Sequence, residues 1–172
     1  MTEIEIKTER LLLRATRHED LDAIAAIWGD SEGGKYLSDP FYKSGEEIKE
    51  ILDFTPECPV YYFAAIPHGL DEVITTCSLG PENIDSDVWA IGYTVRKDCW
   101  GNGYAGEMIN AMINFAKNKG LHAIIAPVAK ENIASNKVLQ KCGFRIYRES
   151  SFKKSGTDIT YPSYVYKMLL AN

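Results

Sequence analysis

Nowhere in the sequence do apolar residues run for the roughly 18 to 20 positions that a helical membrane span needs. The opening Met1-Thr2-Glu3-Ile4-Glu5-Ile6 has neither the basic start nor the apolar stretch of a signal peptide. A cytoplasmic protein with no membrane partner is therefore expected. Cysteine is scarce: Cys58, Cys77, Cys99 and Cys142 stand far apart with no C-x-x-C pair, which points to reduced thiols rather than a disulfide framework. His18, His68 and His122 are equally scattered, and no potential nitrogen or sulfur ligand follows another at metal-site spacing, so no metal is expected. Gly-Lys-Ser and Gly-Lys-Thr are absent, which excludes a Walker phosphate loop. Nothing repeats at a solenoid period and no Pro- or Ser-rich linker divides the chain, so residues 1–172 read as one domain.

What is present is the composition of an ordinary globular protein. With 45% hydrophobic and 25% charged residues the chain can build its own core, which excludes disorder and collagen-like structure. The net charge of -5 disfavours nucleic acid, whose binding rests on phosphate neutralisation. That charge is split unevenly: residues 1–80 hold 7 basic and 16 acidic side chains, residues 81–172 hold 12 and 8. Halves of opposite sign suit a protein that brings a phosphate-bearing ligand to a basic substrate, although uneven surface charge explains them equally well.

The patterning gives an order of elements. Arg10–Arg14 reads as a strand, and Thr16-Arg17-His18-Glu19 as a capping box opening a helix with Leu21, Ile24, Ile27 and Trp28 on one face. A second box, Ser44-Gly45-Glu46-Glu47, predicts another helix with Ile48, Ile51 and Leu52 inward. Strand-like periods at Val60–Ile66, Val73–Leu79 and Val88–Val95 predict an antiparallel meander. Ala105, Met108, Ile109, Met112, Ile113 and Ala116 mark a long helix capped by Gly120. A strand at His122–Val128, a short helix at Ser135–Lys141 ended by Gly143, and strands at Phe144–Glu149 and Ser163–Leu169 complete a mixed sheet with helices on its faces.

Chemistry concentrates where the strand Ala90–Val95 leads through Arg96–Cys99 into Trp100-Gly101-Asn102-Gly103-Tyr104-Ala105 and the long helix. A glycine turn at a helix N-terminus gathers unpaired amides and the positive end of the helix dipole, which suits a diphosphate. Gly101 and Gly103 permit positive φ and close approach of a ligand, though a tight turn alone would also want glycine there. The same residues spell G-x-G-x-x-G, but the nicotinamide-dinucleotide reading fails on context. The first glycine follows its strand too late, three strands precede without crossover helices, and the position 20 or so residues on, which should be acidic, is Ala126 followed by Pro127.

Four segments in this order resemble the GNAT superfamily of N-acetyltransferases, and within it the RimJ/RimL type that acetylates ribosomal-protein N-termini. They are Thr8-Glu9-Arg10-Leu11-Leu12-Leu13-Arg14, Ile91-Gly92-Tyr93-Thr94-Val95, Trp100–Glu107, and Asn132-Ile133-Ala134-Ser135-Asn136-Lys137 with Gly143-Phe144. The resemblance covers nearly the whole chain. It implies an α/β (mixed α+β) GNAT fold: a mostly antiparallel twisted sheet, helices on both faces, and central strands that splay around acetyl-CoA. Acetyl would pass directly to a primary amine in a ternary complex, without a covalent enzyme intermediate.

Site roles follow from the resemblance. Gly101, Asn102, Gly103, Tyr104 and Ala105 would hold the cofactor diphosphate, and the backbone of Thr94 and Val95 the pantetheine arm. Trp100 stands where many relatives carry Gln or Arg, and Trp is familiar in the RimJ/RimL type. Asn132 and Asn136 look like further cofactor ligands, with capping or turn formation as the plainer role. The tyrosine that many relatives use to protonate the thiolate is replaced by Leu139. Ser135 matches the serine that bonds to the thiol in the RimJ/RimL type, but would compete with a helix-capping role.

The Glu that relatives often use as base is replaced by Ala90; Glu82, Asp85 or Asp87 in the preceding loop would have to substitute, with solvated loop charge as their plainer role, and Glu107 reads as support for the cradle. Acceptor choice would fall to Asp30–Phe41, to the helix carrying Glu46, Glu47 and Glu50, and to Ser151–Tyr161, with a peptide N-terminus, a polyamine or another small amine as partner. In and near the Asp30–Phe41 loop, Tyr36, Phe41 and Tyr42, beside Asp30, Glu32 and Asp39, suit a cationic chain, although aromatics that simply anchor an ordinary loop explain them more plainly. A homodimer is compatible with this reading. The alternative is an acyl-CoA-binding or sensing module with little catalysis.

Overall fold

The computed structural model describes residues 4–52, 59–83 and 85–170. Among these residues eight strands lie in the order β1-β2-β3-β4-β5-β6-β8-β7. They are β1 Glu5–Lys7, β2 Leu11–Ala15, β3 Tyr61–Pro67, β4 Thr75–Pro81, β5 Val88–Val95, β6 Ala123–Ala129, β7 Arg145–Lys153 and β8 Thr160–Leu169. Every pair is antiparallel except β5 with β6. Among the described residues three α-helices flank the sheet: α1 Leu21–Gly29, α2 Tyr104–Asn118 and α3 Ile133–Lys141. This is a mixed, mostly antiparallel sheet with helices on its faces, as the motifs imply. The expected meander is β3-β4-β5; β1 lies outside the expected order, because three residues with only Ile6 apolar give no readable period.

Two apolar layers hold the helices to opposite faces. Met108, Ile109 and Met112 of α2 are fully buried against Leu11, Phe63 and Leu79, and Leu139 of α3 joins the same layer. Full burial of side chains this size stabilises the fold by about 1.5–3 kcal/mol each. On the other face Ile24, Ala25, Ile27 and Trp28 of α1 pack on Ala64, Ile66 and Ile48. Trp28 also donates from Nε1 to Thr76 Oγ1 at 2.9 Å, fixing α1 to β4. Gly120, at φ 75, closes α2 as the sequence pattern requires.

Both capping boxes need correction. At the first, Asp20 rather than Glu19 accepts from the backbone three residues back, Arg17 N, at 2.8 Å. The box slips by one residue because Arg14, at the end of β2, grips both oxygens of Asp20 at 2.7 and 2.9 Å in the core, and Thr16 N is taken by Tyr62 O. At the second, no α-helix forms among the described residues; Gly45–Glu47 is a single 3-10 turn. Ser44 makes no side-chain cap bond, Gly45 N donates instead to Asp22 Oδ1 at 2.9 Å, and Glu47 reaches back to Lys43 N. The glycine in the first turn weakens the helix further. Ile48 still buries its side chain under α1, so the apolar signal was sound and the periodicity was not.

Candidate active site

The sheet opens between β5 and β6. Only Val88, Trp89 and Ala90 pair across, with Ala123, Ile124 and Ile125; beyond them β5 stays with β4 and β6 with β8. Main-chain groups of a strand alternate between its two neighbours. The bonds Lys130 N to Pro162 O and Leu170 N to His122 O turn the even-numbered residues of β6 toward β8, so 125 and 127 face β5. Position 127 is Pro127, which has no N–H to give to Ile91. The ladder therefore loses a donor at the first step beyond Ala90.

The resulting cleft has a volume of about 970 Å³. One wall is β5, where Arg96 N donates to Ile74 O of the strand before; the alternation then leaves the main chain of Ile91, Tyr93 and Val95 facing the gap. Thr94 lines the cleft by its side chain, while its carbonyl accepts from Thr75 on the β4 side. Val95 O accepts from the Trp100 indole at 2.8 Å, so Trp100, half exposed, ties the end of β5 to the turn.

The turn is built as the glycine pattern predicts. Gly101 and Gly103 have φ of 76 and 78, and Gly103 is the N-cap of α2. The first backbone bond of α2 runs from Glu107 N to Gly103 O at 3.2 Å, so the amides of Tyr104, Ala105 and Gly106 have no helical acceptor. They point with the helix dipole into the cleft, which Gly101, Gly103, Tyr104 and Ala105 line. Asn102 does not line it; its amide donates to Cys99 O and Trp100 O at 3.0 and 3.2 Å and closes the turn from behind.

At the start of α3 the two asparagines and Ser135 divide their labour. Asn132 is the N-cap, its Oδ1 accepting from Ser135 N at 3.3 Å. The cap role that would have competed for Ser135 is thus filled by Asn132. The Ser135 hydroxyl makes no side-chain hydrogen bond among the described residues and lines the cleft with Asn132. Asn136 is buried: its Nδ2 donates to Ala129 O and Asn132 O at 3.0 and 2.7 Å, and its Oδ1 accepts from Tyr166 at 2.7 Å. Its amide welds α3 to β6 and β8. Beside Ser135 stands Tyr93, also in the cleft wall, whose hydroxyl lies 3.5 Å from Ser135 O and whose pKa burial pushes up to about 12. It is a neutral hydrogen-bond donor at any physiological pH.

The loop expected to choose the acceptor supplies a further part of the lining. Tyr36, Leu37, Ser38 and Asp39 of the loop after α1 line the cleft, with Tyr62 and Phe152. Three carboxylates reach this cleft: Glu32, Asp39 and Glu131. Glu32 is paired with Lys97 at 2.7 Å, and Asp39 accepts from Tyr42 Oη at 3.1 Å. Glu82, Asp85 and Asp87, the substitutes for the missing base, do not line it; Glu82 instead lies 4.0 Å from Arg148. Glu131 escaped the sequence reading because nothing in its local pattern distinguishes it from a surface charge. Among the described residues no group of three or more His, Cys, Asp or Glu could hold a metal, Cys77, Cys99 and Cys142 are free thiols, and no helix is long and apolar enough to cross a membrane. Cys58 lies outside the described residues.

Residues 10–145 match the model of the acetyltransferase (GNAT) domain. The chain is 33% identical over 143 residues, 80% of each sequence, to the uncharacterized N-acetyltransferase p20 of Bacillus licheniformis. In shape it is similar to a GNAT-family acetyltransferase from Bacillus anthracis, with a TM-score of 0.79 and 25% identity over 96% of this chain and 98% of that one. It is also similar to a spermidine N-acetyltransferase from Vibrio cholerae solved with CoA and spermine, at TM-score 0.82 and 19% identity, covering 95% of this chain and 97% of that one.

Proposed function

This chain belongs to the GNAT family and is an acetyl-CoA-dependent acetyltransferase, and on that premise we propose that it acetylates a primary amine, of the peptide α-amino kind served by the RimJ/RimL type. The observation that carries this is the coincidence, in one cleft, of an opened β5–β6 edge, a turn of unpaired amides and an uncommitted serine hydroxyl. In this reading the turn from Gly101 to Ala105 holds the diphosphate, and the main chain of Tyr93, with the amide of Val95, whose carbonyl is already taken by Trp100, pairs with the pantetheine arm as a short extra strand. Trp100 and Asn102 hold those pieces in shape, while Asn132 and Asn136 set α3 so that Ser135 meets the thioester sulfur.

The amine lone pair then forms the new N–C bond as the C–S bond breaks and its electrons go to sulfur. Ser135 donates a hydrogen bond to the thiolate, which Leu139 cannot do. The proton lost by nitrogen passes to water or to a carboxylate on the acceptor side. An α-amino group titrates near pH 8, so a useful fraction is already neutral at pH 7 and a weak base suffices; a lysine, near 10.4, needs more help. A second reading, a small polycationic amine, is favoured by Glu32, Asp39 and Glu131 together in the cleft and by the likeness to a spermidine enzyme.

Thiol release from acetyl-CoA, followed with free and Nα-blocked peptides and with polyamines, tests these readings. Turnover with free peptides alone supports the first and turnover with polyamines alone the second. Saturable CoA binding with no acceptor-dependent release would defeat both.

A further inference from the structure

Glu107 is an acidic side chain in the first turn of α2, beside the amides proposed to hold a diphosphate. Left alone it would repel that ligand. It is instead surrounded by donors from the segment before β2: Thr8 Oγ1 at 2.6 Å, Arg10 N at 2.7 Å and Arg10 Nε at 2.7 Å. The guanidinium so held reaches on to the turn. Its Nη1 donates to Asn102 O at 2.7 Å, its central carbon lies 4.7 Å from the Tyr104 ring centroid, and its Nη2 is 3.4 Å from where a Cβ on Gly103 would stand.

One side chain thus touches three successive residues of a turn in which both glycines have positive φ. Among the described residues no other side chain from outside the turn hydrogen-bonds to residues 101–105. Nη2 makes no hydrogen bond among the described residues, and the side chain is 43% exposed; Arg10 does not itself line the cleft, but Nη2 stands beside Gly103, which does, so a charged donor remains available at the rim of the cradle.

We infer that Arg10 is a cofactor-binding residue, locking the glycine turn through Asn102 and Glu107 and offering its free Nη2 to the diphosphate of the acyl donor. The inference rests on the proposed use of that turn. The charge arithmetic agrees: Glu107 is cancelled by its own partner, and the amides and dipole of α2 are left to act on the anion. A lysine at position 10 would keep the charge but could not span Glu107 and Asn102 at once.

The test compares three donors in wild type and in Arg10→Gln: acetyl-CoA, acetyl-dephospho-CoA and S-acetylpantetheine, which lacks the diphosphate. Loss of a charge-assisted contact predicts that kcat/KM for both diphosphate-bearing donors falls about tenfold relative to S-acetylpantetheine. Arg10→Lys should show the same selective fall, which keeps the test open should the glutamine variant fold poorly. Arg10→Gln combined with Glu107→Gln should add little, since both act through one turn. An equal loss on all three donors would reduce Arg10 to a brace of the fold, and a loss on acetyl-CoA alone would place it on the 3′-phosphate; either overturns the inference, as does no loss at all. Wild type that binds no CoA would instead defeat the proposed function.

Discussion

The ammonium of Lys154, just after β7, lies 2.6 Å from the main-chain carbonyl of Asp39, in the loop that follows α1. It donates as well to Gly34 O and Leu37 O, at 2.9 and 3.0 Å, and rests 4.2 Å from the Phe41 ring centroid. Fully buried, with its pKa lowered by burial, it has carbonyl dipoles rather than a carboxylate for partners. Ser155 N donates to Ser38 O nearby, and Tyr36 packs edge-on against Tyr161. The loop after α1 and the β7–β8 hairpin are therefore one unit, joined by a buried cation, a main-chain bond and an aromatic contact.

Replacing Lys154 by Met fills the space but leaves three carbonyls without their donor. The expected cost is about 2–4 kcal/mol, read from urea denaturation. Because Leu37, Ser38 and Asp39 line the cleft in the loop proposed to choose the acceptor, KM for the amine should rise several-fold while KM for acetyl-CoA stays near its wild-type value. A variant with unchanged amine KM would show that the clamp serves the fold alone.

Ser135 and Asn132 should separate cleanly. With the cap on Asn132, Ser135→Ala should lower kcat while leaving the denaturation midpoint where it is. Asn132→Ala should cost about 1 kcal/mol of stability through the lost cap. The reverse pattern would return Ser135 to a structural part.

At Gly103 two effects add. With φ at 78, any side chain pays for a left-handed backbone, about 1–2 kcal/mol. Gly103→Ala should show that penalty in melting experiments, whereas Gly103→Asp should also abolish CoA binding by setting a carboxylate against the diphosphate. CoA titrating normally into the aspartate variant would remove the turn from the site.

The Thr8–Glu107–Arg10 cluster carries a pH signature. Burial alone would raise the Glu107 pKa, but bonds from Thr8 and Arg10 outweigh it and hold the carboxyl below its ordinary 4.5. A carboxyl depressed in the folded state stabilises above its unfolded pKa and loses that contribution as pH falls through the folded value. The melting-temperature gap between wild type and Glu107→Gln should therefore be full at pH 7 and close below about pH 4.5. A gap that is flat with pH would mean that Glu107 acts through packing.

Much of this was legible because it is local. The apolar stripe of α2 and the glycines at 101, 103, 120 and 143 depend on residues within a few positions of one another, and there the short-range pattern and the long-range packing agree. The second box misled because its signals were local while the decision was not: Asp22, twenty-three residues earlier in the chain, takes the Gly45 amide that a helix start would have used. Glu131 and Lys154 were equally unreadable, since a charged residue in a polar stretch shows nothing of what surrounds it.

The chain by its order of residues determined that strand, glycine turn and helix follow one another, and hence that free amides gather at one point. It even held a donor missing at the gap, Pro127, without saying which neighbour goes without that proton. Only the tertiary structure decided that this missing N–H faces Ile91, that Asn132 releases Ser135, and that Arg10 and Lys154 hold loops far from them in sequence. The reason is physical: a backbone preference acts over a few residues, whereas a partner for a buried charge or an open strand edge is chosen by whatever the fold brings alongside.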